Sequence, residues 1–119
     1  MKNTKFEQVT RKSTVSEKRV QAMLAARVQG ITEVKTVSGR IDVLTSEAVY
    51  EVKHYSAHNW KAALGQVISY SHYFNTHHLW LVLIGCPSVE TMAEVELICN
   101  ESQVGVQWVD TSTLEMHVR

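Results

Sequence analysis

Three charged residues stand inside two segments that otherwise have the composition of β-strands. Asp42 lies in "RIDVLT", and Glu51 and Lys53 lie in "AVYEVKHY". Charged side chains are rarely buried unless they are paired or bound to a metal ion. Either these residues face solvent, or they form a site that needs two carboxylates and an ammonium group.

The pairing of the two strands predicts which side chains meet. Side chains alternate across a strand, so Glu51 and Lys53 share one face. If the turn is centred between Ser46 and Glu47, Asp42 lies opposite Glu51, with Cβ atoms about 4.5–5.5 Å apart. Two carboxylates at that distance repel unless a proton or a cation lies between them. The arrangement predicts a site for a hard cation such as Mg²⁺, which prefers oxygen ligands. The alternative is a surface hairpin with a Glu–Lys pair.

The spacing of apolar residues predicts an α/β protein with the element order α-β-β-β-α-β-α-β. We expect a mixed central β-sheet flanked by helices on both faces, with an αβββαβ core and a C-terminal αβ extension. The predicted helices cover 14–30, 56–74 and 88–100, and the predicted strands cover 31–37, 40–45, 48–55, 79–85 and 104–110. Residues 114–118 are a candidate edge strand outside this order. The chain is expected to form a single domain, residues 1–119, with a basic and flexible arm over residues 1–13.

The combination of Asp42, eight residues, and then Glu51-Val52-Lys53 resembles the PD-(D/E)xK nuclease superfamily. The resemblance covers roughly residues 14 to 85 and implies a restriction-endonuclease-like core. Ile41 replaces the proline that often precedes the aspartate, a position that the family keeps loosely. The likeness is greatest to RecB-type nucleases, to some Holliday-junction resolvases and to small phage or homing endonucleases.

Further residues match positions that the family uses. Gln66 and Tyr70 match its Q-x-x-x-Y motif on the helix after the E-x-K strand, and Glu17 takes the place of an acidic residue on the first helix. Each match has a simpler explanation. Glu17 could complete a capping box with Thr14, and Tyr70 could be an ordinary core residue.

The resemblance implies an Mg²⁺-dependent DNA endonuclease, with Mn²⁺ as a substitute metal. Asp42 and Glu51 would hold the metal with the Val52 carbonyl, and Glu17 would bind it directly or through water. Lys53 would orient or deprotonate the attacking water. Gln66 and Tyr70 would position the nucleophile or the scissile phosphate. A catalytically idle DNA-binding or assembly module and a plain protein-interaction domain remain as alternatives.

Basic residues are concentrated at the start of the chain, although the net charge of the whole chain is zero. The first 27 residues carry a net charge of about +5, which suggests a partner that bears phosphate. A solvated arm would explain the same pattern. The residues expected to follow the DNA backbone are Lys12, Lys18, Arg19, Arg40 and Lys61.

The remaining features concern location and assembly. No apolar run is long enough to span a membrane, and the N-terminus lacks an apolar signal segment, so a cytoplasmic location is expected. Cutting both strands of DNA in concert calls for a homodimer or a higher homo-oligomer. The third predicted helix and the last strand are the candidate interface, with Leu97 or Leu114 as apolar anchors.

Overall fold

The computed structural model describes residues 15–119 and has the predicted element order, with the candidate edge strand present as a sixth strand. The basic arm, with Lys12, and Thr14 lie outside the described residues. The helices are α1 (Glu17–Val28), α2 (Trp60–Ser69), which continues into a 3₁₀ turn (Tyr70–His72), and α3 (Val89–Glu101). The strands are β1 (Ile31–Thr36), β2 (Gly39–Leu44), β3 (Ala48–His54), β4 (His78–Ile84), β5 (Val104–Val109) and β6 (Met116–His117).

One six-stranded sheet in the order β1-β2-β3-β4-β5-β6 organises the described residues. Strands β1, β2 and β3 form an antiparallel meander, β3, β4 and β5 run parallel, and β6 is an antiparallel edge strand. The parallel strands are linked through α2 and α3, as parallel connections require. The predicted mixed α/β sheet is therefore confirmed.

Helices cover both faces of the sheet and define two apolar cores. Helices α2 and α3 pack on one face, where Trp60, Val67 and Trp108 are buried. Helix α1 packs on the other face through Val20 and Leu24. No helix within residues 15–119 is long and apolar enough to cross a membrane.

Strand β2 loses its regular alternation at Asp42. Ile41 and Val43 are two residues apart and should share a face, yet they pack into different cores. On the neighbouring strand, Glu33 has a φ of 56° and is left out of the β1–β2 pairing, which continues in the same register on either side. The interruption falls at Asp42, which is the β2 residue that would pair with Glu33 if the register continued without a break.

Helix α2 holds the β1–β2 turn through two side chains. Gln66 Nε2 donates to the Ser38 carbonyl at 3.0 Å and to the Tyr70 hydroxyl at 2.8 Å. The Tyr70 hydroxyl donates to the Arg40 carbonyl at 2.8 Å. Gly39 lies between these carbonyls with a φ of 133°, and a Cβ there would lie 2.6 Å from Gln66 Nε2. A side chain at this position would therefore have to displace Gln66, and the positive φ would strain its backbone.

The contact at Gly39 leads to a prediction about stability. We expect Gly39→Ala to lower the free energy of unfolding by about 1–3 kcal/mol, because the methyl group strains the backbone and displaces Gln66. Gly65→Ala is the matched control, since no atom lies within 4 Å of its Cβ position in the interior of α2. An alanine there should stabilise the protein by about 0.5–1 kcal/mol. Urea denaturation measures both, and a Gly39→Ala variant as stable as the parent would contradict the close contact.

Candidate metal and phosphate site

A cleft of about 250 Å³ opens between the sheet and α2. Strand β3 contributes Glu51 and Lys53 because alternation turns both toward the α2 face. Helix α2 contributes Gln66, which lies one helical turn before Tyr70 and so faces the same way. The lining residues are Arg40, Glu51, Lys53, Ala62, Ala63, Gln66 and Tyr70. Five residues that the sequence singled out are thus brought together.

Asp42 lies where strands β2 and β3 separate. The ladder between them pairs Leu44 with Val49 and Val43 with Tyr50, in the predicted register, and then stops. Beyond that point Asp42 Oδ2 accepts a hydrogen bond from the backbone N–H of Val52 at 2.7 Å.

The Asp42 carboxylate therefore accepts the hydrogen bond that a backbone carbonyl of β2 would accept in a regular ladder. The N–H and carbonyl of one strand residue point to the same side. The Val52 carbonyl consequently also faces the gap in which the Asp42 carboxylate lies, which is the side required of a backbone ligand.

Glu51 carries the most perturbed carboxyl group of the cleft. Its Oε1 atom is buried and has no hydrogen-bond partner within residues 15–119. Burial and the negative charge of Asp42 raise the pKa of Glu51 to about 8. Burial also raises the pKa of Asp42, and the charge of Glu17 adds to the effect. The pair is stabilised by a proton or by a cation.

The donor set fits a magnesium-type ion better than zinc. No group of three or more His, Cys, Asp or Glu side chains in the described part of the chain is arranged to hold a metal. Mg²⁺ keeps several waters and commonly uses one or two carboxylates. Asp42, Glu51 and the Val52 carbonyl match that requirement, and the unpartnered Oε1 of Glu51 is the atom that a cation would satisfy.

Glu17 reaches the site from α1. Its Oε2 atom accepts a hydrogen bond from the His54 backbone N–H at 3.0 Å, at the end of β3. The helix is capped by Ser16, whose Oγ accepts from the Arg19 N–H at 3.1 Å. Glu17 therefore faces the sheet, and its charge acts on both Asp42 and Glu51. Its role as a metal ligand stays a prediction.

Gln66 and Tyr70 line the cleft and also hold its wall together. The Tyr70 side chain is fully buried, and its hydroxyl group is shared between Gln66 and the Arg40 carbonyl. This network places the backbone of Arg40 at the cleft. The structure thus combines the core role and the site-lining role that the sequence left as alternatives.

An acidic residue that sequence reasoning missed links part of the basic surface. Glu33 pairs with Lys18 of α1 and, at 3.2 Å, with Arg40 of β2. The Lys18 ammonium holds the pKa of Glu33 below its usual value. No local pattern marks Glu33, because its partners lie 15 and 7 residues away. Of the other predicted backbone contacts, Arg19 is exposed, and Lys61 is exposed beside the Trp60 ring.

Comparison with known proteins finds relatives in a virus. The chain is similar to the KilA-N domain-containing proteins L32, L33 and R878 of Acanthamoeba polyphaga mimivirus. It is 34% identical to L32 over 85 residues, which are 71% of this chain and 22% of L32. It is 32% identical to L33 and 37% identical to R878 over 94 residues, which are 79% of this chain, 37% of L33 and 26% of R878.

The chain therefore spans between about a fifth and just over a third of the length of the curated relatives it matches. No protein-family model matches the chain. No solved structure matches it either.

The raised pKa of Glu51 leads to a prediction about pH. The ordinary carboxyl value is 4.5, and the folded value is about 8. Between these values the folded protein holds a proton that the unfolded chain has released, so the free energy of unfolding falls as the pH rises. In a chelating buffer we expect a lower Tm at pH 8 than at pH 5, and Glu51→Gln should remove most of that difference.

Thermal denaturation followed by circular dichroism measures the effect. Glu94→Gln is the control, because Glu94 is exposed on α3, and this variant should keep the pH dependence of the parent. If Glu51→Gln and the parent lost the same amount of stability between pH 5 and pH 8, no proton would be held at Glu51.

Proposed function

We propose that this chain is a metal-dependent DNA endonuclease of the PD-(D/E)xK type, which hydrolyses phosphodiester bonds. One observation carries the proposal. Glu51, Lys53, Gln66 and Tyr70 converge on one cleft, and the buried Oε1 of Glu51 has no hydrogen-bond partner among residues 15–119, although it lies beside a second carboxylate, Asp42. A structural hairpin gains nothing from this crowding of negative charge, whereas a cation site requires it.

Asp42, Glu51 and the Val52 carbonyl would hold the metal. When bound, Mg²⁺, or Mn²⁺ in its place, supplies positive charge that offsets the negative charge developing on the phosphate oxygens. The hydrogen bond from the Val52 N–H to Asp42 fixes that carboxylate in advance. Such preorganisation avoids rearrangement when the substrate binds.

The other cleft residues act on water and phosphate. Lys53 lies in the same cleft as Glu51, where its ammonium group orients the attacking water and stabilises the charged phosphate. Gln66 and Tyr70 act as positioning residues, because their polar groups fix the Arg40 backbone at the cleft. The reaction adds water to phosphorus and breaks one P–O bond, which leaves a phosphate and a hydroxyl end.

DNA is the substrate that the comparisons favour. KilA-N domains bind DNA, and the three viral relatives carry that domain in their names. The exposed basic residues Arg19, Arg40 and Lys61 would contribute contacts to the phosphate backbone.

A catalytically idle DNA-binding or assembly module is the second candidate. One observation favours it: the three viral relatives are named for a KilA-N domain, and KilA-N domains bind DNA. Such a module would bind DNA in a salt-sensitive manner without any metal requirement.

We expect Asp42→Asn, Glu51→Gln and Lys53→Met each to reduce cleavage by about 100-fold or more, because each removes a charge that the transition state needs. Asparagine is chosen because its side-chain oxygen still accepts the Val52 N–H. Nicking of supercoiled plasmid and cleavage of labelled oligonucleotides, with Mg²⁺ or with a chelator, measure the effect.

Glu47→Gln is the control for charge, because Glu47 is exposed in the β2–β3 turn, and this variant should cleave at the parent rate. Full activity in any one of the three site variants would remove that residue from the site. DNA binding without metal-dependent cleavage by the parent protein would establish the idle module instead, and neither activity would leave a protein-interaction domain.

We further propose that the endonuclease acts as a two-fold dimer through α3. Val89 and Leu97 are 61% and 62% exposed on this helix, whereas Leu114 is only half-buried and a weaker anchor. Light scattering at micromolar concentration should give twice the 13.5 kDa mass of one chain, and Leu97→Asp should give the monomer mass. A parent protein with the mass of one chain would exclude the dimer.

A further inference from the structure

The tip of the β1–β2 turn exposes an apolar residue beside the cleft. Val37 is 95% exposed, so its side chain contributes almost nothing to the core. Turn positions usually carry Gly, Asn, Asp or Ser, which suit tight backbone conformations. The folded chain therefore gains almost no apolar burial from this branched side chain.

The backbone that presents Val37 is braced on both sides. Thr36 Oγ1 donates to the Gly39 carbonyl at 2.7 Å and accepts from the Ser38 N–H at 3.1 Å. Gln66, which lines the cleft, donates to the Ser38 carbonyl. The turn is therefore held at a set distance from the cleft, and a ligand that contacts Val37 does not have to order the turn.

An aromatic side chain lies next to the same turn. Tyr73 follows the 3₁₀ turn after α2, and it is 42% exposed. Its hydroxyl group lies 3.3 Å from Ser38 Oγ. The turn tip thus combines an aliphatic side chain with a partly free aromatic ring.

The surrounding charge favours an anionic ligand over an apolar protein surface. Lys35 and Arg40 are both exposed and are paired directly across β1 and β2. Like charges in that position destabilise a sheet. Arg40 is paired with Glu33, whereas Lys35 has no ion-pair partner among the residues that the structure describes. The residues between them, Thr36 to Gly39, carry no charge.

We infer that Val37 and Tyr73 contact unpaired bases beside the scissile phosphate, so that the preferred substrate is DNA with a branch or an unpaired segment. This inference rests on the proposed nuclease function and names its substrate class. Aromatic rings stack on bases, and apolar side chains act as wedges between base steps. Bases at a branch are already unstacked, which removes the energy that a duplex would require.

The experiment compares two substrates of the same sequence under single-turnover conditions. One is a continuous duplex, and the other has two unpaired arms with 2-aminopurine at the branch. We expect the parent to cleave the branched DNA at least tenfold faster than the duplex. Val37→Ser and Tyr73→Ala should each reduce cleavage of the branched DNA by about tenfold, with little effect on the duplex.

Two conservative variants and one control separate contact with bases from structural effects. Val37→Leu and Tyr73→Phe keep an apolar group and a ring, and should retain both the rate and the 2-aminopurine fluorescence change of the parent. Ile31→Ser alters an equally apolar residue, 62% exposed, at the opposite end of the same hairpin, and should change neither. Equal Tm values show that the variants are folded.

Failure of this inference is distinct from failure of the nuclease proposal. Equal rates on duplex and branched DNA, with Val37→Ser and Tyr73→Ala matching the parent, would overturn the inference and leave the nuclease intact. An equal loss on both substrates would also overturn it, because the turn would then be a general contact. If neither substrate is cleaved, the nuclease proposal fails. Binding of branched DNA in preference to duplex, lost in the same two variants, would still support the contact.

Discussion

The hydrogen bond from the Val52 N–H to the Asp42 carboxylate is the constraint on which the rest of the site depends. In a regular sheet the β2 backbone would pair with β3 at this point. Here the backbone pairing stops after Val43 and Tyr50. The Asp42 side chain, in place of the β2 backbone, accepts the hydrogen bond from the Val52 N–H. This carboxylate lies beside Glu51, whose pKa its charge raises. Loss of that acceptor would leave the Val52 N–H without its partner, which is costly in a buried position.

The position of Glu51 beside Asp42 costs electrostatic free energy, which the rest of the fold must offset. Glu51 is held in a partly buried position beside a second carboxylate, and no hydrogen bond reaches its Oε1 within residues 15–119. Strand β3 can tolerate this because it pairs along its whole length with β4, in a parallel ladder covered by apolar cores on both faces. The repulsion between Glu51 and Asp42 is thus located on a central strand that is paired along its whole length.

The side chains of Gln66 and Tyr70 connect the wall of the cleft to the exposed β1–β2 hairpin. They hydrogen bond to the carbonyls of Ser38 and Arg40, so the wall of the cleft and the turn that carries Val37 form one unit. The hydrogen bonds therefore fix the position of the turn relative to the cleft, and a ligand that contacts both would not have to order either one. The same coupling explains why glycine is needed at position 39, where the helix side chain and the turn come closest.

Local patterns in the sequence determined the order of the elements, the register of the β2–β3 hairpin, and the faces on which Glu51, Lys53, Gln66 and Tyr70 lie. Each of these follows from periods of two or 3.6 residues and from short turns, which act between near neighbours. Only the tertiary structure decided that the ladder ends at Asp42, that Glu17 accepts from the His54 N–H, and that Glu33 joins Lys18 to Arg40. These contacts join residues that lie 7 to 37 positions apart, so no local pattern encodes them, and they form only when the packed cores bring the elements together.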